Sequence, residues 1–211
     1  MIYEKWLQER KNGIGGSDAA AILGLSPHKT NVELWEEKRG IREPQDISDE
    51  EYVQFGRAAE EPLIQLFALN YPQYSVNSNT SYEMIRHKDY PFLFATLDAK
   101  LLEKQTSRKG ILETKTALIQ SSAMRQKWEK AVPDHYFCQV LHYMNVTGWD
   151  YAVLEALLRW DYGDGVMAEL RHYNIERYEV QASMDYLLQE EIKFWHQVQT
   201  GERPNLKLPP L

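Results

Sequence analysis

Cysteine is nearly absent from this chain of 211 residues, since Cys138 is the only one. One thiol cannot close an internal disulfide, complete a Cys-rich zinc site or hold an iron–sulfur cluster. Within Tyr136-Phe137-Cys138-Gln139-Val140 it reads as a small core residue. The six histidines are scattered and no pair has His-x-x-x-His spacing, which excludes a helical histidine zinc centre. There is no run of about 18 apolar residues and no basic-then-apolar leader, so the expectation is a cytoplasmic protein without a membrane anchor. Positive charge is also short: the formal net charge is −7, which argues against coating nucleic acid by bulk electrostatics. Internal repeats and low-complexity tracts are missing too.

What is present is 43% hydrophobic residues, enough for one domain with a substantial core. A single domain over residues 1–211 is expected, with N-terminal helices in 1–72, a sheet with helices in 73–175, and a C-terminal helix and tail in 176–211. The first helix is placed from Ser17 or Asp18 to Gly24. A second has Thr30 and Glu33 as a capping box and stops at Gly40. A third starts near Ser48, with Glu51 in the same capping relation, and runs to Pro72. Its apolar positions Phe55, Ala59, Leu63, Leu66 and Phe67 recur at helical spacing. Residues 92–102 read as one largely buried strand, and residues 110–116 as its hairpin partner across a polar loop. A helix from Pro133 to about Val146 closes at Gly148, followed by strands over 149–160 and 166–175 joined by Asp161-Tyr162-Gly163-Asp164-Gly165. An amphipathic helix runs from Glu176 to about Thr200, bearing Tyr186, Leu187, Ile192 and Trp195, and Pro204, Pro209 and Pro210 extend the tail. This order implies an α/β or α+β fold with a mixed central sheet flanked by helices.

The chemistry concentrates on Asp98 and Glu113-Thr114-Lys115. The two-residue period of a strand sends Glu113 and Lys115 to one face and Leu112 and Thr114 to the other. An antiparallel hairpin brings Asp98 close. Burying such charges requires compensation, and magnesium, which favours carboxylate and water oxygens and leaves positions for phosphate, supplies it. The outline is that of metal-dependent phosphodiester chemistry. Taken alone, Glu-x-Lys equally fits a solvated ion pair.

Further residues join this group. Glu60 and Glu61 lie mid-helix after the small residues Gly56, Ala58 and Ala59, and one of them can face the site. Gln139, with His135 at i−4 and Tyr143 at i+4, forms a polar stripe able to bond a water or a ligand oxygen. The turn Gly13-Ile14-Gly15-Gly16-Ser17-Asp18 brings free backbone N–H groups, the Ser17 hydroxyl and Arg10 to a helix start, a setting for a phosphate oxygen, although Ser17 can also serve merely as a cap. Between Glu103 and Lys130 there are seven basic residues (Lys104, Arg108, Lys109, Lys115, Arg125, Lys127 and Lys130) against three acidic ones, a local basic excess.

Five segments in this order, Gly13-Ile14-Gly15-Gly16-Ser17-Asp18, Phe55-Gly56-Arg57-Ala58-Ala59-Glu60, Ala95-Thr96-Leu97-Asp98, Leu112-Glu113-Thr114-Lys115 and Gln139-Val140-Leu141-His142-Tyr143, resemble the phage-type recombinase exonucleases, the lambda exonuclease or YqaJ-like family of restriction-endonuclease-like nucleases. The resemblance spans Arg10 to about Leu157. It implies a restriction-endonuclease-like core and a Mg²⁺-dependent 5′→3′ exonuclease on double-stranded DNA ends, with Mn²⁺ as a substitute. Asp98, Glu113 and Glu60 would be metal ligands, joined by the carbonyl of Leu112 or Thr114. Lys115 would position and help activate the water, Gln139 would support the site, and Arg10 and Ser17 would hold a terminal 5′-phosphate. It further implies a phage or prophage origin in a bacterial cell, a single-strand annealing partner and a ring-shaped trimer. Glu61 beside Glu60 leaves the register of the helix acid open. A related endonuclease, or a non-catalytic DNA-binding module on the same scaffold, remains an alternative.

Overall fold

The computed structural model describes residues 3–79, 81–129, 131–161, 163 and 165–208; Lys130, Tyr162, Asp164, Pro209 and Pro210 lie outside them. The chain runs α1 (Tyr3–Lys11), α2 (Gly16–Leu23), α3 (Asn31–Lys38), α4 (Glu51–Asn70), β1 (Tyr74–Ser78), β2 (Ile85–Arg86), β3 (Phe94–Ala95), β4 (Ala99–Glu103), β5 (Lys109–Leu118), α5 (Ser122–Lys127), α6 (Asp134–Thr147), β6 (Tyr151–Asp161), β7 (Val166–Glu176) and α7 (Arg177–Thr200). The main sheet has the order β1-β4-β5-β6-β7, and β2 and β3 form a separate two-stranded sheet. β5 and β6 are parallel, as the helical crossover between them requires, while the other neighbours are antiparallel. The mixed α/β class is as expected.

Side-chain alternation on β5 and β6 divides the core into two layers. Leu112 and Val153 face α4, where they meet Ile64 and Phe67. Ile111, Ala152, Leu154 and Ala156 face the opposite layer with α2, α6 and α7. Because α6 lies between the sheet and other helices, it is covered on several faces, burying Cys138, Val140, Leu141 and Met144 together with the polar His142 and Asn145. Cys138 is thus the core residue its neighbours suggested.

Several expected boundaries differ. The strand expected over 92–102 breaks at Thr96-Leu97-Asp98: β3 pairs with β2, and β4 with β1 and β5. Its continuous apolar run serves two sheets, which periodicity alone cannot separate. The Thr30/Glu33 capping box forms, but the Ser48/Glu51 box does not; α4 starts after Glu50, and the Ser48 N–H turns back to Asp46 instead. On α4 the buried residues are Leu63, Ile64 and Phe67, whereas Leu66 is exposed. The first helix is α1, whose polar sequence carries little apolar pattern, and α2 begins at Gly16 with Gly15 as N-cap. On α7, Tyr186 is exposed, and Met184, Leu187, Phe194 and Val198 make the buried stripe.

One buried polar pair ties the layers together. His142 of α6 places Nδ1 2.6 Å from Glu191 Oε1 of α7 and Nε2 2.8 Å from the Phe94 carbonyl oxygen. Both side chains are fully buried. With an acceptor at each nitrogen the ring carries both protons. Burial opposes that charge, but Glu191 and the two hydrogen bonds outweigh it and raise the His142 pKa. Glu191 Oε2 has no partner.

Candidate active site

The site forms where β4 stops and β5 continues. β4 pairs with β5 only as far as Ala99↔Leu112, so Glu113 onward has a free edge. Asp98, the residue before β4, closes that edge: its Oδ2 accepts the Thr114 N–H at 2.7 Å and the Thr114 hydroxyl at 2.8 Å. Within a strand, one residue's N–H and C=O point to the same edge, so the Thr114 carbonyl is also directed there.

Glu113 lies on the α6 face, 1% exposed. Its Oε1 accepts Lys115 Nζ at 2.5 Å and Gln139 Nε2 at 2.6 Å, and Gln139 also donates to the Tyr143 hydroxyl at 2.9 Å. Its Oε2 is buried without a partner. On the other side α4 packs over the sheet, where a Cβ on Gly56 would just reach van der Waals contact with Thr116 Oγ1, at 3.4 Å. Between α4 and the β5 edge opens a cavity of about 270 Å³ lined by Glu60, Asp98, Thr114, Lys115 and Tyr136, among others. Of the two neighbouring acids, Glu60 lines the cavity, while Glu61 is exposed and accepts a hydrogen bond from Gln65.

Three carboxylates face one lysine here, and the electrostatics register the surplus. Burial, with the Asp98 charge adding to it, pushes Glu113 up to about 8 against the pull of Lys115. Burial and Asp98 likewise raise Glu60 to about 7. For Lys115 burial is outweighed by Glu113 and Asp98, so its pKa rises.

These features fit a divalent cation. An unpartnered carboxylate oxygen, two further acids, an edge carbonyl and excess negative charge form a hard-oxygen donor set suited to magnesium. Among the described residues, no three His, Cys, Asp or Glu side chains already form a ready metal-holding group. Asp98 is bonded to Thr114, and Glu113 to Lys115 and Gln139.

The turn before α2 abuts this site. A Cβ on Gly16 would lie 2.5 Å from the Tyr143 ring and 2.9 Å from Gln139 Cγ, so only glycine allows the contact. Arg10 donates to the Ser17 hydroxyl at 2.8 Å, and its charge reaches Tyr143, as do those of Glu113 and Asp98. The two phosphate candidates are therefore together and next to the acids. The turn is less open than its glycines suggested: Gly15 N–H donates to Asp18 Oδ2 at 3.1 Å and Ile14 N–H to the Phe92 carbonyl. Asp18 is held by Lys38 at 2.7 Å. Ser17 is not the N-cap, so its hydroxyl is available to Arg10.

The local basic excess divides. Lys115 enters the site, but Arg108 pairs with Glu176 and Lys104 bonds the Pro72 carbonyl at the opposite end of β5, while Arg125 lies 3.4 Å from Glu169. The sequence reading missed Tyr136, which lines the cavity three residues before Gln139, on the same helix face; that spacing was the available signal. It also missed the Trp6 Nε1–H bond to Thr96 Oγ1, 3.0 Å long, which ties α1 to the segment carrying Asp98.

Comparison with known proteins places these features in context. A model described as the YqaJ-like viral recombinase domain matches residues 5–150. The uncharacterized protein YqaJ of Bacillus subtilis (strain 168) is 33% identical over 208 residues, which is 98% of this chain and 60% of that protein. This chain thus spans about 60% of the length of that relative. Among solved structures, the alkaline exonuclease LHK-Exo from Laribacter hongkongensis superposes with a TM-score of 0.65 at 15% identity, covering 94% of this chain and 93% of that one. A phage related exonuclease from Haemophilus somnus 129PT gives 0.57 at 18% identity over 90% and 96%. These likenesses establish the fold. No helix among the described residues is long and apolar enough to cross a membrane.

Proposed function

The chain belongs to the YqaJ-like viral recombinase domain family, and on that premise we propose that it is a Mg²⁺-dependent exonuclease that degrades double-stranded DNA from its ends, 5′ to 3′, leaving 3′ single strands. The observation that carries this reading is Glu113: a buried carboxylate with one oxygen held by Lys115 and Gln139 and the other without a partner, its charge felt beside Asp98 and Glu60. The fold likeness to two exonucleases supports it.

Asp98, Glu113, Glu60 and the Thr114 carbonyl would hold the ion, with Mn²⁺ as a substitute. When bound, it would polarise the scissile phosphate and acidify a water. The chain's own groups do the rest. Gln139, braced by Tyr143, fixes the Glu113 carboxylate. Lys115, charged and anchored 2.5 Å from Glu113, orients the attacking water and meets negative charge growing on the phosphate. Arg10 and Ser17 would grip a terminal 5′-phosphate, the basis of the 5′ polarity. A single-strand annealing partner, a trimeric ring and a phage or prophage origin belong to the same proposal, by resemblance to the family.

The test is digestion of linear duplexes labelled at the 5′ or the 3′ end, with covalently closed circles alongside, with and without Mg²⁺. Early release of 5′ label and intact circles are expected. Cut circles would replace the exonuclease with an endonuclease, and no cleavage of any substrate would favour a binding module.

A further inference from the structure

One aromatic side chain, Tyr136, lines the cavity, and nothing in the proposed chemistry uses it. Tyr136 lines the cavity with its ring 5.3 Å from Lys115 Nζ. From there a row of rings leads outward: His135 lies 3.9 Å from Tyr136 at 45°, and His28, in the connection between α2 and α3, lies 6.3 Å from His135 at 87°. Buried Trp128 supports Tyr136 at 5.5 Å, and its carbonyl accepts the Tyr173 hydroxyl. Burial, followed by the charges of His28, Lys115 and Lys127, lowers the His135 pKa to about 4, so its ring is neutral near pH 7. Among the described residues no hydrogen bond engages the His28 or His135 ring or the Tyr136 hydroxyl. The three rings form a continuous row reaching from the cavity to the exposed His28, with no protein group among the described residues bonded to their polar atoms.

Its chemistry selects one occupant. The rings offer π faces to flat aromatic groups, and Lys115 and Lys127 beside His135 attract phosphates. That combination is the stacking platform and cationic track used for single-stranded nucleic acid, and it tolerates any sequence because every base has a π face.

We propose that Tyr136, His135 and His28 form a ledge on which the unpaired bases next to the scissile phosphate stack, holding the end of the cut strand in the cavity. The inference rests on the nuclease reading and adds the positioning of the strand to it.

Two measurements test it. In the first, the full chain without divalent cation is titrated against a single-stranded oligonucleotide carrying terminal 2-aminopurine. Quenching by the wild type and by His135→Phe, with affinity weaker by about tenfold in His28→Ala or His135→Ala, is expected. In the second, kcat and KM are measured with Mg²⁺ on duplexes whose first two nucleotides of the cut strand are normal or abasic. The wild type should show a KM roughly tenfold higher on the abasic end with kcat little changed, and His28→Ala should level the two substrates. Equal handling of normal and abasic ends by the wild type, or an equal loss on both in His28→Ala, would overturn the ledge even if the chain digests DNA. Quenching that depends on His28 and His135, in a chain that cleaves nothing, would keep the ledge and remove the nuclease reading. His28 is exposed, so its variant tests the idea even where His135→Ala fails to fold.

Discussion

Two glutamates of this protein are equally buried and differently used. Glu113 is 1% exposed and Glu191 0%. Each has one oxygen bonded to a cationic side chain, Lys115 at 2.5 Å or His142 at 2.6 Å, and each leaves Oε2 without a partner. Their bonded partners Gln139 and His142 even sit three residues apart on the same helix. The difference lies around them. Glu191 and His142 balance each other inside a closed core, with the Phe94 carbonyl taking the second ring proton. Glu113 lies beside Asp98 and Glu60, at a cavity, with one lysine for three acids. Burial of a charge therefore does not by itself mark a site; an uncompensated surplus next to open space does.

The largest effect that would break this contrast is on catalysis. Glu113→Gln and Lys115→Ala should each lower DNA hydrolysis by about a thousandfold or more, since they remove charge stabilisation and water positioning. The urea midpoint of Glu113→Gln should stay close to the wild type, because Asp98 and Glu60 still balance Lys115. Substantial activity in either variant would remove the site. His142→Asn should do the reverse: it strands Glu191 without its cation and costs about 3–5 kcal/mol of stability, with activity per folded molecule retained. Urea unfolding followed by circular dichroism reads this directly.

The same pair predicts a pH dependence. The folded pKa of His142 lies above the ordinary imidazole value of 6.5. Its stabilising contribution is thus complete below about pH 6.5 and lost as pH rises through the folded value. The stability difference between wild type and His142→Asn should be largest in mild acid and shrink on the alkaline side. A gap that widens with rising pH would contradict the protonated ring.

Smaller effects sharpen the picture. Arg10→Ala should reduce the preference for 5′-phosphorylated over 5′-hydroxyl ends by roughly tenfold, the worth of a charge-assisted hydrogen bond, in a competition digest. Glu61→Gln should leave activity within about twofold while Glu60→Gln impairs it, because only Glu60 lines the cavity.

What the sequence made legible follows from how local each signal is. Glu113 and Lys115 share a strand face by a period of two, and the structure bonds them. Arg10 meets Ser17 across one glycine turn. Gln139 meeting Glu113 required the family resemblance, since 26 residues separate them and no periodicity spans that gap. The break at residues 96–98 was hidden because an apolar run reads alike whether it serves one sheet or two. Thr114 as the partner of Asp98 was hidden for another reason: that contact exists only because β4 begins one residue later, leaving the Thr114 edge of β5 to the Asp98 side chain. Tertiary contacts such as His142 with Glu191, 49 residues apart, left no local pattern.

The contrast between the two glutamates is tested most directly by calorimetric titration of Mn²⁺ into the wild type, Glu113→Gln and Glu191→Gln. Binding by the wild type, its loss in Glu113→Gln and its retention in folded Glu191→Gln are predicted. Unchanged Mn²⁺ binding by Glu113→Gln would contradict the account.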